Sequence, residues 1–393
     1  MKLFPLLNIL NRGGKKLDYK QVLIKGAKLL DLSEKYRYVK KDVLIKNGII
    51  NSIEDDIPYL SNMKLIDGKG YNLSPGFIDI HTHVYPEKTS LGIKADTVGV
   101  YNGVTSLFDA GSQGPVNFDD FRQNVILKNI TDVYAFLNIA KTGLEKERYE
   151  IADLSNIDLD MVKDVYYKNK DFIKGIKVRA SASCVGELGI KPVELAKKVS
   201  KELGIPLLVH IGNRPPDIDD VLNLLEKGDI VTHTFHGKPK GILENDKIRP
   251  SFLRARDRGV LFDVGHGTSS FNFNVFRKAF DEKFYPDLIS TDIYKDNYNG
   301  PVFSLEQTIN KLIGMGMTIE DCIYKVTYVP ARHLGLDKVG SLKVGFKADL
   351  TLFRIEQKER TYVDSEKNLL KTSKGIDIDY VLKNGVLIES GKN

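Results

Sequence analysis

The chain has 393 residues, enough for a large core and one or two domains, and is 42% hydrophobic and 28% charged, the balance of a soluble globular protein. Its formal net charge is +6, but Lys and Arg are interspersed with Asp and Glu. Basic runs such as Lys15-Lys16 and Lys40-Lys41 are short and no basic–aromatic stripe occurs, so a nucleic-acid footprint is not expected.

The first segment, Lys2 to Leu10, is apolar but short and broken by Pro5 and Asn8. Without a small-residue cleavage site it reads as a packed terminal segment rather than a signal peptide. No apolar run approaches the ~20 residues of a spanning helix, so no membrane is expected as a partner. Cys184 and Cys322 lie far apart and form no CxxC pattern, which fits a reduced, cytoplasmic protein.

Residues 20 to 75 hold short β-like runs: Val22-Leu-Ile-Lys, Asp42-Val-Leu-Ile-Lys and Ile49-Ile-Asn-Ser-Ile. Asn47-Gly48 between the last two is a hairpin turn signal. The final fifty residues repeat this chemistry in Asp349-Leu-Thr-Leu-Phe, Tyr380-Val-Leu and Asn384-Gly385. The spacing predicts a small β-sandwich domain built from both termini, 1–75 plus 336–393.

The middle, 76–335, alternates. Strand-like runs are expected at Phe77–His83, Val104–Ala110, Val133–Ala140, Ile173–Arg179, Pro206–Ile211, Ile230–Phe235, Val260–Val264 and Leu288–Tyr294. Helical patterns fall between most of them, as at Pro192–Leu203, Ile218–Lys227 and Leu305–Gly314, with Pro192 suited to a start and Gly204 and Gly228 to stops. Eight such units fit an α/β fold of the (β/α)8 TIM-like barrel kind, about 250 residues long. An open doubly wound sheet is the alternative, but no GxGxxG follows the first strand.

In a barrel, reactive groups gather at the C-terminal ends of the strands. Strand one ends in His81-Thr-His83, and side-chain alternation turns both rings, with Asp79, to one face. Strand four carries Lys177; strands five and six end in His210 and His233; strand eight ends in Asp292. Singly, each has an ordinary reading: a core histidine, a capping aspartate, a paired lysine. Jointly, converging imidazoles and a carboxylate at predicted strand ends point to a divalent metal.

The segments Pro75-Gly-Phe-Ile-Asp-Ile-His81-Thr-His83, Gly175-Ile-Lys177-Val-Arg179, Val209-His210-Ile-Gly, Thr232-His233-Thr, Ser290-Thr-Asp292 and Gly340-Ser-Leu-Lys-Val-Gly345 together resemble the binuclear type of the amidohydrolase superfamily. Asp263-Val-Gly-His-Gly267 and Asn299-Gly-Pro-Val-Phe303 make the chain similar to the amidohydrolase/deacetylase branch, relatives of dihydroorotase. The resemblance covers nearly the whole chain.

That resemblance implies two divalent metal ions. His81, His83 and Asp292 would hold one, His210 and His233 the other, and Lys177, carrying a CO2-derived carbamate, would bridge them. Zn2+ is the default, with Mn2+, Fe2+ and Co2+ left open by the ligand types. A bridging hydroxide would attack a substrate carbonyl, and catalytic Asp292 would accept its proton and pass it to the leaving group. The expected reaction is hydrolysis of an amide, cyclic amide or ester on a small molecule.

Arg179 shares the inward face of Lys177 and suits either a substrate carboxylate or a structural ion pair. His266, between two glycines, suits substrate contact or support of the ligands. Tyr294 and Asn213 complete the substrate-binding candidates; His236 reads as a loop residue, and Cys184 has no partner that would make it a nucleophile. Two rival functions stand. A mononuclear deaminase of this fold would carry a Glu after His210, where Ile211-Gly-Asn stands instead. An inactive assembly protein would have lost ligands, and all six remain. No apolar stripe marks an interface, and a homo-oligomer is left open.

Overall fold

The computed structural model describes residues 21–146 and 148–390. The segment Lys2 to Leu10 lies outside the described residues.

The first strands, β1 (Gln21–Asp31), β2 (Tyr36–Lys46), β3 (Ile49–Glu54), β4 (Lys64–Asp67) and β5 (Asn72–Pro75), join three at the other end of the chain. Between them run β6 (Phe77–Thr82), β7 (Val104–Ala110), β8 (Asp132–Asn138), β9 (Ile173–Ala180), β10 (Leu207–Ile211), β11 (Ile230–Thr232), a small hairpin of β12 (Leu243–Glu244) and β13 (Lys247–Ile248), and β14 (Leu261–Phe262). The last three are β15 (Leu350–Val363), β16 (Leu369–Lys383) and β17 (Val386–Glu389).

Among the described residues, the terminal strands make one sheet in the order β17-β16-β15-β5-β1-β2-β3, with β4 paired to β1. Both predicted Asn-Gly turns are present. Asn47 and Gly48 have φ of 50° and 75°, Asn384 and Gly385 of 50° and 77°, the left-handed pair that a two-residue hairpin needs. The two turns meet: a Cβ on Gly48 would lie 2.9 Å from the Asn384 carbonyl oxygen, so glycine lets the ends of the sheet touch. Val22, Ile24, Leu29, Val43, Leu350, Leu352 and Leu382 fill the core beneath.

From β5 the chain passes through Gly76 straight into the barrel. β6 to β11 and β14 pair in parallel in sequence order. The eighth predicted strand, Leu288–Tyr294, is not a regular strand. It touches both edges through single parallel bridges, Asp263 with Leu288 and Thr82 with Ile293, and so closes the ring. Its irregularity has a local cause: Asp292 sits at φ 49°, which no extended strand accommodates. For the same reason β11 stops at Thr232, short of the predicted Phe235, because His233 has φ 68°. The predicted helices form as Lys191–Leu203, Ile218–Leu224 and Leu305–Gly314, the first closed by Gly204 at φ 67° and the last capped by Ser304. The second ends short of the expected Lys227, because Leu225 is already extended (ψ 143°), and Gly228 lies in a turn beyond it rather than at the helix stop.

Inside the barrel Phe108, Phe136, Leu208, Ile230 and Leu288 pack as one apolar layer. Side-chain alternation puts Ala110, Asn138, His210, Thr232 and Ser290 on the same faces one step towards the strand ends. An apolar floor therefore lies beneath a polar layer. Gly175 is part of that arrangement, since a Cβ there would be 2.6 Å from the Phe136 ring.

β15 and β16 are 14 and 15 residues long and extend as a hairpin over the barrel. Asn310, on the helix Leu305–Gly314, pairs with both backbone groups of Ile376 at 2.9 and 2.7 Å. The hairpin tip reaches the loop after β14: Ser365 Oγ accepts from the amides of Ser270 and Phe271, and Asp364 accepts from that of Phe273 at 2.8 Å. Among the described residues, no helix is long and apolar enough to cross a membrane.

Candidate metal centre and substrate cavity

The six residues singled out at the strand ends come together. His81 Nε2 and His83 Nε2 lie 3.3 and 3.2 Å from Asp292 Oδ1, and His233 Nε2 lies 3.8 Å from Oδ2. His210 Nδ1 faces His233 Nε2 at 3.0 Å, and Lys177 Nζ faces His81 Nε2 at 3.2 Å. The ligand atoms of His81, His83 and Asp292 all fall within 4.8 Å of one another.

The far side of each ring is fixed. His233 Nδ1 is 2.6 Å from the Gly265 carbonyl, which can only accept, so Nδ1 holds the proton and Nε2 turns a lone pair to the centre. His81 Nδ1 meets Thr232 Oγ1 at 2.9 Å, and that hydroxyl donates to Asp263 Oδ2 at 2.7 Å, which leaves it accepting from the imidazole. His83 Nδ1 meets Ser112 Oγ at 2.9 Å, and Ser112 also bonds Asp109. An imidazole–hydroxyl–carboxylate relay thus orients His81, and the hydroxyl of Ser112, a residue anchored to Asp109 through its backbone amide, orients His83, the support that metal-ligating histidines usually have.

Burial, reinforced by Lys177 and neighbouring rings, holds His81 and His210 well below the ordinary imidazole value. Burial also takes His233 down to about 4. All three are neutral at pH 7, the form that binds a metal. Burial lowers Lys177 to about 8, and among the described residues no carboxylate lies within ion-pair distance of it. Burial alone would raise Asp292, but the His83 hydrogen bond and the nearby His233, His83 and Lys177 side chains hold it below the ordinary carboxylate value. Converging nitrogen lone pairs, an ionised carboxylate and a buried amine without a counter-ion fit a cationic metal centre.

Asp79 is buried one step behind His81. It accepts from the Thr291 hydroxyl at 2.5 Å, the Thr291 amide at 3.1 Å and the His81 amide at 3.2 Å. It therefore ties the first and last barrel segments together beside two candidate ligands. Gly265 and Gly267 have φ of 49° and 53°, and a Cβ would come within 2.1 Å of Thr232 Oγ1 or 2.5 Å of Asp292 Oδ2. Only glycine serves at either position.

The centre opens into a cavity of about 130 Å3, rimmed by Leu91, Lys238, Thr268, Ser269, Ser270 and Tyr294. A larger cleft, about 500 Å3, lies against β1 and β5 and touches none of the six residues. Arg179 lines the site cavity, but Glu150 engages it in a bidentate pair, Nε–Oε1 2.6 Å and Nη2–Oε2 2.8 Å. Burial disfavours the guanidinium charge, yet Glu150 keeps it firmly protonated. Of the two roles expected for Arg179, the ion pair is visible. Tyr294 lines the cavity, its hydroxyl 2.5 Å from Thr268 Oγ1.

His266 and Asn213 stand elsewhere. The His266 ring is buried against Phe271, with Nδ1 2.9 Å from the Gly267 carbonyl and Nε2 2.8 Å from Lys311 Nζ, so it faces away from the cavity. Asn213 is exposed, and its carbonyl accepts from the Ala182 amide at 2.9 Å. Cys184 is buried, and burial raises its thiol above the ordinary range. Sequence reasoning missed Glu150, Lys238, Lys311, the relay through Thr232 and the Ser112 hydroxyl behind His83. Of these only Thr232, directly before His233 on a strand, carried a local signal.

The description of the amidohydrolase family matches residues 72–388. A protein named deacetylase from Brucella anthropi is 35% identical over 367 residues, covering 92% of this chain and 91% of its own. A solved structure described as a dihydroorotase superposes with a TM-score of 0.89 at 32% identity, over 95% of this chain and 98% of that one. Another, described as an adenine deaminase, gives 0.88 at 36% identity, over 94% and 99%.

Proposed function

Because the chain belongs to the amidohydrolase family and is a metal-dependent hydrolase, we propose that it removes a small acyl group from nitrogen or oxygen using two divalent metals. In this reading His81, His83 and Asp292 hold one metal, His210 and His233 the other, and Lys177, as a carbamate, spans both. Zinc is the expected metal, by its preference for three or four nitrogen and oxygen ligands with an open position. The barrel, 76–335, carries the chemistry, and the terminal β unit, 1–75 with 336–393, supports it.

One observation carries the reading: six ligand-type groups on or directly after β6, β9, β10 and β11 and on the closing segment meet at one buried centre. Lys177 strengthens it. A buried ammonium with no carboxylate among the described residues within ion-pair distance is costly, whereas a carbamate there would be an anion opposite cations.

Bound metal would supply Lewis acidity towards the substrate carbonyl and lower the pKa of an attacking water. The chain's own residues do the rest. Asp292, held ionised and cradled by Asn297, which donates to its carbonyl at 2.8 Å, takes the water proton and returns it to the leaving nitrogen or oxygen. The Thr232 relay keeps His81 in one tautomer throughout, and the Ser112 hydroxyl holds the His83 ring in place. The small cavity limits the substrate: about 130 Å3 lies well below the roughly 300–1,000 Å3 of pockets for drug-sized ligands.

Deacylation is favoured over deamination by the similarity to the deacetylase and by Ile211-Gly212-Asn213, which offers no acidic side chain after His210. A panel of N-acetyl amino acids, O-acetyl hydroxy acids, cyclic amides and adenine, offered to zinc- or manganese-loaded protein, tests this. Release of acetate supports deacylation; release of ammonia from adenine alone would replace it.

A further inference from the structure

The cavity wall carries three cationic side chains, Lys177, Arg179 and Lys238. Lys177 faces the metal centre, and Glu150 neutralises Arg179. Lys238 differs from both. It lies on the loop after β11, half-buried, and its backbone amide is anchored to His236 Nδ1 at 3.1 Å. Its ammonium makes no hydrogen bond or ion pair with any described residue. Glu366, whose carboxylate packs against Gly237, accepts from Asn272 at 2.8 Å instead. Lys238 lies close enough to the centre to interact electrostatically with Asp292, His210 and His233. Burial pushes its pKa down, so an anion beside it would relieve a cost already present.

We propose that Lys238 anchors a carboxylate of the substrate, which makes the natural substrates compact acyl compounds that end in a carboxylate. This rests on the acyl-hydrolase reading above. The chemistry favours a singly charged group. One ammonium balances one negative charge, while Asp292 and a carbamate on Lys177 would repel a second. The hydroxyls of Thr268, Ser269 and Ser270 on the same rim can donate to the second carboxylate oxygen. The size of the cavity keeps the carbonyl and the carboxylate a few bonds apart. Specificity thus sits on the β11 loop, and Arg179 shapes the wall without choosing the ligand.

The probes are 4-oxopentanoate, a carbon isostere of N-acetylglycine that no hydrolase can cleave, and its neutral amide. Calorimetry on the zinc-loaded full chain gives Kd for each, in the native protein and in Lys238→Met and Lys238→Arg, with metal content measured alongside. The native protein should prefer the acid by about ten- to a hundred-fold, Lys238→Met should bring the ratio within about three-fold, and Lys238→Arg should keep most of it. A native ratio near one, or a ratio that survives Lys238→Met, overturns the proposal. Hydrolysis of p-nitrophenyl acetate by the native protein reports separately on the acyl-hydrolase reading. Turnover without any acid preference refutes the role of Lys238 alone; an acid preference without turnover of any acyl probe refutes the hydrolase reading alone.

Discussion

Thr232→Val isolates the relay behind His81. The change keeps the shape of the side chain and removes the hydroxyl that accepts from His81 Nδ1 at 2.9 Å and donates to Asp263 Oδ2 at 2.7 Å. All three residues are buried, so water cannot take its place. Loss of such a support behind a metal-bound histidine costs about 10- to 100-fold in metal affinity, or about 1.4–2.8 kcal/mol at 1.4 kcal/mol per decade. The metal-free protein should also lose about 1–3 kcal/mol of stability, because a buried N–H is left without its acceptor. Zinc affinity by competition with a chelating dye reads the first effect, and thermal unfolding of the metal-free protein the second. Thr232→Ser should restore both. Zinc affinity within about two-fold of native would refute the relay.

Asp292→Asn should retain much of the metal but lose about 10²-fold or more in turnover; metal analysis and steady-state kinetics check the two halves, and near-native turnover would remove Asp292 from proton transfer. Lys177→Ala should abolish activity and regain part of it when a short carboxylate such as acetate is added with metal; activity untouched by the change would exclude the carbamate. Glu150→Ala leaves the Arg179 guanidinium, with its side chain only 14% exposed, without the bidentate partner. Breaking such a pair costs about 3–5 kcal/mol, and denaturant unfolding should show a loss of that size.

What the sequence disclosed, and what it concealed, follows the range of the interactions. The Asn47-Gly48 and Asn384-Gly385 turns and the stop at Gly204 depend on local backbone preference, and each formed as read. Strand starts were legible because apolar runs on the barrel wall are continuous. Two strand ends were not: β11 and the closing segment break off at His233 and Asp292, whose left-handed backbone is imposed by the site. The six strand-end groups were legible because the barrel topology itself converts strand ends into neighbours. Asp79 shows the limit of periodicity, since its carboxylate serves Thr291 and the His81 amide behind the centre. The orientation of Arg179 turned on Glu150, 29 residues away and in no recognisable motif. His266 was turned from the cavity by Lys311, a helix residue 45 positions on. No window of sequence contains either pair.

Metal content of the purified protein, prepared without chelators and supplied with zinc and bicarbonate, distinguishes a two-metal centre from any other arrangement of the six side chains. The protein should hold about two divalent metals per chain, the stoichiometry of a two-metal hydrolase. One metal or none, from protein that is folded, would contradict it.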